Sequence, residues 1–291
     1  MDGINTTTRI AGFAMVLVAA VAIGAGVGAT IGPESTTTRP EAPAPMGQGV
    51  VSTRDGYRLT PEVAALAADG ATFRFQVLDP EGNPATRFTP VHERDLHLIV
   101  VSRDLTRYQH VHPTLAANGT WAVQLDTLAP GSYRAIADFQ VADGPRLALG
   151  TDLAVAGIYT PGELPEPVAT TNVDGYTVAL ATKRGRGGEV TASLTVTRAG
   201  QPVTDLEPYL GANGHLVAIR VGDLAYAHVH PVNATGHDSG RPADGTVTFD
   251  ASFDAAGRYG LFFDFQHAGV VRTAKFTFDQ GIVTGATTME H

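Results

Sequence analysis

Across its 291 residues the sequence has no cysteine. That excludes disulfides, a lipidated cysteine anchor, thiolate metal ligands and a cysteine nucleophile. Methionine is nearly as scarce. Beyond the first 31 residues only Met46 and Met289 remain, so neither a blue-copper site with its Cys and axial Met nor a methionine-rich Cu(I) site is available. Basic charge is also short: 20 Lys and Arg stand against 29 Asp and Glu, a formal net charge of -9, with no Lys/Arg cluster. Nucleic-acid binding wants a basic patch, so it is excluded, and the acidity reads as a solubility feature. Long helical patterns are few. What the chain does have, 33 Gly and 18 Pro among many Val and Thr, points to short strands joined by tight turns. The length predicts about two domains, each large enough to hold a core without disulfides.

One long apolar run exists. Residues 10–31, IAGFAMVLVAAVAIGAGVGATI, carry no charge and follow Arg9. As a helix the run would measure roughly 33 Å, close to the roughly 30 Å hydrocarbon core of a bilayer. Residues 1–31 therefore read as a single-pass signal anchor, with Arg9 holding the amino end in the cytoplasm. The alternative is a cleaved signal peptide, with Phe13–Ile23 as its apolar region and Val27-Gly28-Ala29 before the cut. Both place the rest outside the cytoplasm, at the cell membrane or secreted. Residues 32–49 are rich in Pro and small polar residues without periodicity and read as a disordered spacer.

The rest of the chain repeats itself. Asp55-Gly56-Tyr57 recurs as Asp174-Gly175-Tyr176, and Phe73, Phe75 and Val77 recur as Ala192, Leu194 and Val196, all at an offset of 119. From Gly82 to Pro113 the offset is 118; beyond an insertion in the second copy it is 126, linking Gly131-Ser132-Tyr133 to Gly257-Arg258-Tyr259 and Asp138 to Asp264. Two units, 50–157 and 169–280, are therefore expected, with a stiff linker at 158–168 and a tail at 281–291. Within the first unit, apolar runs near 55–60, 72–78, 96–103, 108–112, 120–126, 132–140 and 147–155 alternate with turn signals. The expected fold is all-β: two tandem immunoglobulin-like or cupredoxin-like β-sandwich domains after an N-terminal apolar helix. Tyr133 and Tyr259 sit where a tyrosine ties a corner of such sandwiches.

Six of the ten histidines follow the repeat. His97, His110 and His112 match His215, His228 and His230. His110 and His112 lie two apart on one expected strand, so they share a face. A hairpin loop of even length puts His97 on that face too, opposite His112; an odd loop or a bulge turns it away. Three neutral imidazoles suit Cu(II), Zn(II) or Ni(II) and leave a position for water or a carboxylate. Asp138 and Asp264 are candidates for that fourth ligand or for orienting a histidine. The bland alternative is an edge strand closed by proline, its histidines incidental. His92 faces Leu210 in the repeat and His267 faces Val141, so both read as copy-specific surface residues; His237 and His291 receive no role.

The succession Leu96-His-Leu-Ile-Val-Val101, His110-Val-His-Pro113, Gly119-Thr-Trp121, Pro130-Gly-Ser-Tyr133 and Asp138-Phe-Gln140 resembles a group of largely uncharacterised bacterial extracytoplasmic β-domains associated with heavy-metal, particularly copper, handling. The resemblance covers both units and implies metal binding in the cell envelope. Copper is the expected ion and zinc the alternative, with one three-histidine site per domain and the membrane engaged through residues 10–31. The competing reading is a structural or protein-interaction module with a cell-envelope partner. No catalytic constellation is recognised. A glutamate general base, the glutamate that follows His-x-His in cupins, and the further ligands and disulfide of copper-zinc superoxide dismutase are all missing.

Overall fold

Residues 72–78, Thr-Phe-Arg-Phe-Gln-Val-Leu, alternate in the way that builds a half-buried strand, and Phe73, Phe75 and Val77 are fully buried there. The computed structural model describes residues 48–186, 188–232 and 242–281, and of His228 only the backbone. The apolar run 10–31 and most of the spacer lie outside these residues, as do His237 and His291. Among the described residues no helix is long and apolar enough to cross a membrane; all regular structure is β.

The first copy is two sheets. One runs, in spatial order, Thr53–Arg54, Tyr57–Pro61, Thr72–Leu78, Thr120–Gln124 and Thr114–Leu115; the other runs Ala65–Leu66, Arg146–Val155, Gly131–Val141, Leu96–Ser102 and Tyr108–Val111. Between them lies a core of Phe73, Phe75, Trp121, Phe139, Leu98 and their neighbours. The second copy repeats this plan, except that Tyr226–Pro231 pairs with both sheets and fuses them into one of nine strands. Tyr226 and Ala227 pair with His215–Arg220, whereas His228 to Pro231 pair with Thr246–Ser252. In the first copy the same crossing is interrupted. Tyr108–Val111 pairs with one sheet, Thr114–Leu115 with the other, and His112-Pro113 falls between them.

Each copy closes a corner with its tyrosine. Tyr133 Oη donates to the Ala129 carbonyl at 2.8 Å and Tyr259 Oη to the Ala255 carbonyl at 2.7 Å. Tyr133→Phe and Tyr259→Phe should each lower stability by about 1 kcal/mol, the net worth of one hydrogen bond, seen as a lower urea midpoint at unchanged slope. A loss near zero at both would deny the corners a tying role.

The strand Leu96–Ser102 departs from alternation: every residue in it is buried. Leu96, Leu98 and Val100 enter the core of the first copy, whereas Ile99 and Val101 enter a separate apolar cluster. That cluster is the contact between the copies. It joins Ile99, Val101, Leu105, Ile136 and Ala148 to Val217, Ile219, Leu224 and Phe262. Tyr108 lies flat on Phe262 with ring centroids 4.1 Å apart and planes 3° from parallel. Two hydrogen bonds cross the contact reciprocally, Tyr108 Oη to Asp264 Oδ2 at 3.2 Å and Tyr226 Oη to Asp138 Oδ2 at 3.3 Å. Because side chains alternate along a strand, His97 faces the same way as Ile99 and Val101. The histidine face is therefore the face between the two copies.

Candidate metal centre

The hairpin register decides whether three histidines meet. Leu98 pairs with Val111, Ile99 with His110 and Val101 with Tyr108, leaving the six residues 102–107 between the last pair. Six is even, so His97, His110 and His112 share a face. Their rings converge: His97 Nδ1 stands 3.0 Å from His110 Nε2 and 3.2 Å from His112 Nε2. Among the described residues this is the group whose ligand atoms all lie within 4.8 Å of one another.

The outer nitrogens fix the tautomers. His97 Nε2 lies 2.8 Å from the Val91 carbonyl, which only accepts, so Nε2 carries the hydrogen and Nδ1 presents a lone pair. His110 Nδ1 lies 2.9 Å from Asp264 Oδ2, so its hydrogen is there and Nε2 presents a lone pair. Two lone pairs thus face each other at 3.0 Å in a buried place. A group of ring nitrogens so placed can hold a metal ion. The spacing suits one, because nitrogens held tetrahedrally at about 2.0–2.1 Å from a metal stand roughly 3.3 Å apart. Burial, then the charge of His110, lowers the His97 pKa to about 4, and burial followed by His110 and His97 lowers that of His112 to about 2. Neutral imidazole is the state a metal takes.

The acceptor for His97 is built by a tight turn. Val91 and Arg94 exchange backbone hydrogen bonds around His92 and Glu93, both with positive φ (49° and 63°). The second copy has the same device: Tyr209 and Ala212 exchange bonds around Leu210 and Gly211, and His215 Nε2 donates to the Tyr209 carbonyl at 2.8 Å. His215 therefore presents its Nδ1 as His97 does. Burial, then His110, lowers the His215 pKa to about 3.

Five of the six expected ligands have described side chains. His215 stands with the first-copy rings, its centroid 6.0 Å from His110 and 6.2 Å from His97. His230 instead lines a different pocket with Glu189 and Asp250, and the side chain of His228 lies outside the described residues. The cause is the crossing strand, which leaves His215–Arg220 after Ala227 and carries His230 to the other sheet. His92 is the histidine that the sequence left out. Its ring is 5.3 Å from His215 and 6.1 Å from His97, and burial lowers its pKa. Its counterpart Leu210 hid it; the one available signal was its place five residues before His97 in a turn. His267, by contrast, binds Tyr176 Oη and Asp205.

The two aspartates differ. Asp138 meets the guanidinium of Arg146 at 3.1 Å and receives Tyr226. Asp264 is 2 % exposed and accepts from Thr273 Oγ1 at 2.6 Å, from Tyr108 and from His110. It orients a histidine, and that histidine belongs to the other copy. Burial, with Asp264 beside it, pushes the Tyr108 phenol well up, so it stays a donor. A cavity of about 30 Å³ lies among His92, His97, His110, His215, Asp138 and Arg146. It has room for an ion or a water.

No curated protein sequence matches this chain. Solved structures share low identity and low TM-scores with it. One is a Salmonella alpha-2-macroglobulin mutant, at TM-score 0.28 and 13% identity, covering 80% of this chain and 15% of that one. A second is invasin, a bacterial integrin-binding protein, at 0.21 and 17%, covering 77% and 39%. A third is domains 4 and 5 of the S-layer protein SbsC, at 0.21 and 12%, covering 77% and 96%. The chain thus spans well under two thirds of the first two. Residues 52–156 and 171–281 each match the family described as a domain of unknown function (DUF8832), so the chain belongs to that family and carries its domain twice.

Proposed function

We propose that this protein binds one divalent transition metal per chain through His97, His110 and His112, outside the cytoplasm, on two immunoglobulin-like or cupredoxin-like sandwiches tethered by residues 10–31 or secreted. The observation that carries the reading is the convergence of three ring nitrogens, those of His97 and His110 turned inward by the partners of their outer nitrogens. Copper is the favoured ion because an all-nitrogen site without thiolate follows the order in which Cu(II) exceeds Zn(II); zinc is the alternative. A bound ion would act as cargo, store or signal.

The test is titration of the full chain, purified in detergent, with Cu(II) and with Zn(II). One equivalent is expected to bind, with at least three nitrogen couplings in the Cu(II) EPR spectrum. His110→Ala together with His112→Ala should weaken binding by at least about 100-fold, since loss of an orienting partner alone costs 10–100-fold. Binding that survives this pair of changes, or an aqueous copper spectrum, would return the histidines to a purely structural role in an interaction module.

A further inference from the structure

We infer that the metal site is shared between the two domain copies, with Asp264 of the second copy positioning His110 and His215 of the second copy supplying a fourth imidazole. This rests on the metal-binding reading above and adds to it that the second copy completes a site whose three histidines lie in the first.

Three observations carry it. First, the hydrogen bond that fixes His110 comes from the partner copy: Asp264 Oδ2 lies 2.9 Å from its Nδ1, and both groups are buried. A carboxylate behind a ligating imidazole sets its tautomer, raises its basicity and offsets the charge of the ion. Asp264 is itself held by Thr273 and Tyr108, one residue from each copy. Second, His215 is held as His97 is held, by a turn carbonyl six residues upstream, so its Nδ1 is left as an acceptor on the face between the copies. Third, the His215 ring stands beside the triad, its nitrogens outside the group that lies within 4.8 Å. The ring centroids of the triad stand 5.3, 4.9 and 4.9 Å apart, and His215 stands 6.0 and 6.2 Å from two of them. Its ring lines the same cavity as His97 and His110. A fourth nitrogen there closes a tetrahedral or tetragonal set, and binding becomes linked to the docking of the copies, because an ion held by both favours only the docked arrangement.

The experiment uses the full chain in detergent with Cu(II) and Zn(II) as probes, and compares His215→Gln, Asp264→Asn and Asp264→Glu with the unaltered protein. Glutamine keeps an amide able to donate to the Tyr209 carbonyl. In His215→Gln the nitrogen couplings are expected to fall from four to three and the affinity by about 10-fold or more. In Asp264→Asn affinity should fall about 10- to 100-fold, and Asp264→Glu should recover part of it, which a merely structural loss would not do. The two residues are altered separately, and melting of the metal-free proteins checks that each folds, so a failure of one leaves the other decisive. If the unaltered chain binds and the triad changes abolish binding, yet His215→Gln keeps the coupling count and Asp264→Asn keeps the affinity, the shared site is wrong and the three-histidine reading stands. If the unaltered chain binds neither ion, both fall.

Discussion

In the presence of a chelator, the protein is expected to lose stability steeply as the pH falls from about 6.5 to about 4, by roughly 2–3 kcal/mol per pH unit near pH 5. The sign follows from His97 and His215, whose folded pKa values are lowered to about 4 and about 3. The unfolded chain binds protons at both near 6.5 while the folded chain does not, so the stability is fully present above that pH and is lost as the pH falls toward the folded values. Each such proton is worth about 1.4 kcal/mol per pH unit, which for two gives the slope. His112, lowered to about 2 and less buried, adds in the same direction. The carboxylates with resolved shifts, Asp104 and Asp223, lie below their ordinary value and lose their contribution at lower pH, outside this window. Urea midpoints in the presence of a chelator at pH 7, 6, 5 and 4.5 measure the slope. His215→Gln should lower it by about 1.4 kcal/mol per pH unit, and a metal, if the proposed site holds one, should flatten it until the pH at which the ion is released. A flat profile between pH 7 and 5 would mean that the rings are not held neutral.

The two-copy organisation and the all-β class were legible because each rests on local signals: turn residues, alternation, and a repeat that keeps its offset across long stretches. The histidine face was legible in part: His110 and His112 share a strand face, whereas His97 joined them only on the condition of an even loop. Parity needs only the count of residues in one loop, and the six between Val101 and Tyr108 settle it. What the sequence did not convey is where that face points. Yet a signal was present. Leu96–Ser102 and His215–Arg220 are apolar without alternation, unlike Thr72–Leu78, and a strand buried on both faces reads in just that way. Taken seriously, those runs put a second apolar layer against the histidine face, and the natural layer is the other copy.

The placing of His215 beside the first-copy histidines was harder to read. Sequence comparison aligns His215 with His97 and implies equal fates for their companions, but the second crossing strand runs unbroken from one sheet to the other, whereas the first is interrupted at Pro113. Asp264 likewise sits opposite His215 in its own sheet, and only the docking of the copies turns it to His110. Assignments made within a copy could not find a hydrogen bond made between them.

Phe262→Ala is expected to cost about 3–5 kcal/mol and, unlike other core truncations, to weaken metal binding as well. Phe262 is 1 % exposed and lies flat on Tyr108, so its removal leaves a cavity between the copies. Tyr108 is the residue whose hydroxyl holds Asp264, and Asp264 holds His110. Loosening the stacked ring therefore loosens the chain of contacts that aims a ligand, with an expected loss of about 10-fold or more in metal affinity. Phe265→Ala is the control on the same strand. Its ring is also fully buried but points into the core of the second copy, against Tyr176. It should cost a similar amount in stability and leave metal affinity unchanged while the protein is folded. Denaturant unfolding and metal titration of both variants separate the two effects. If the affinities move together, or if Phe262→Ala leaves affinity untouched, the contact between the copies supports the fold without supporting the site.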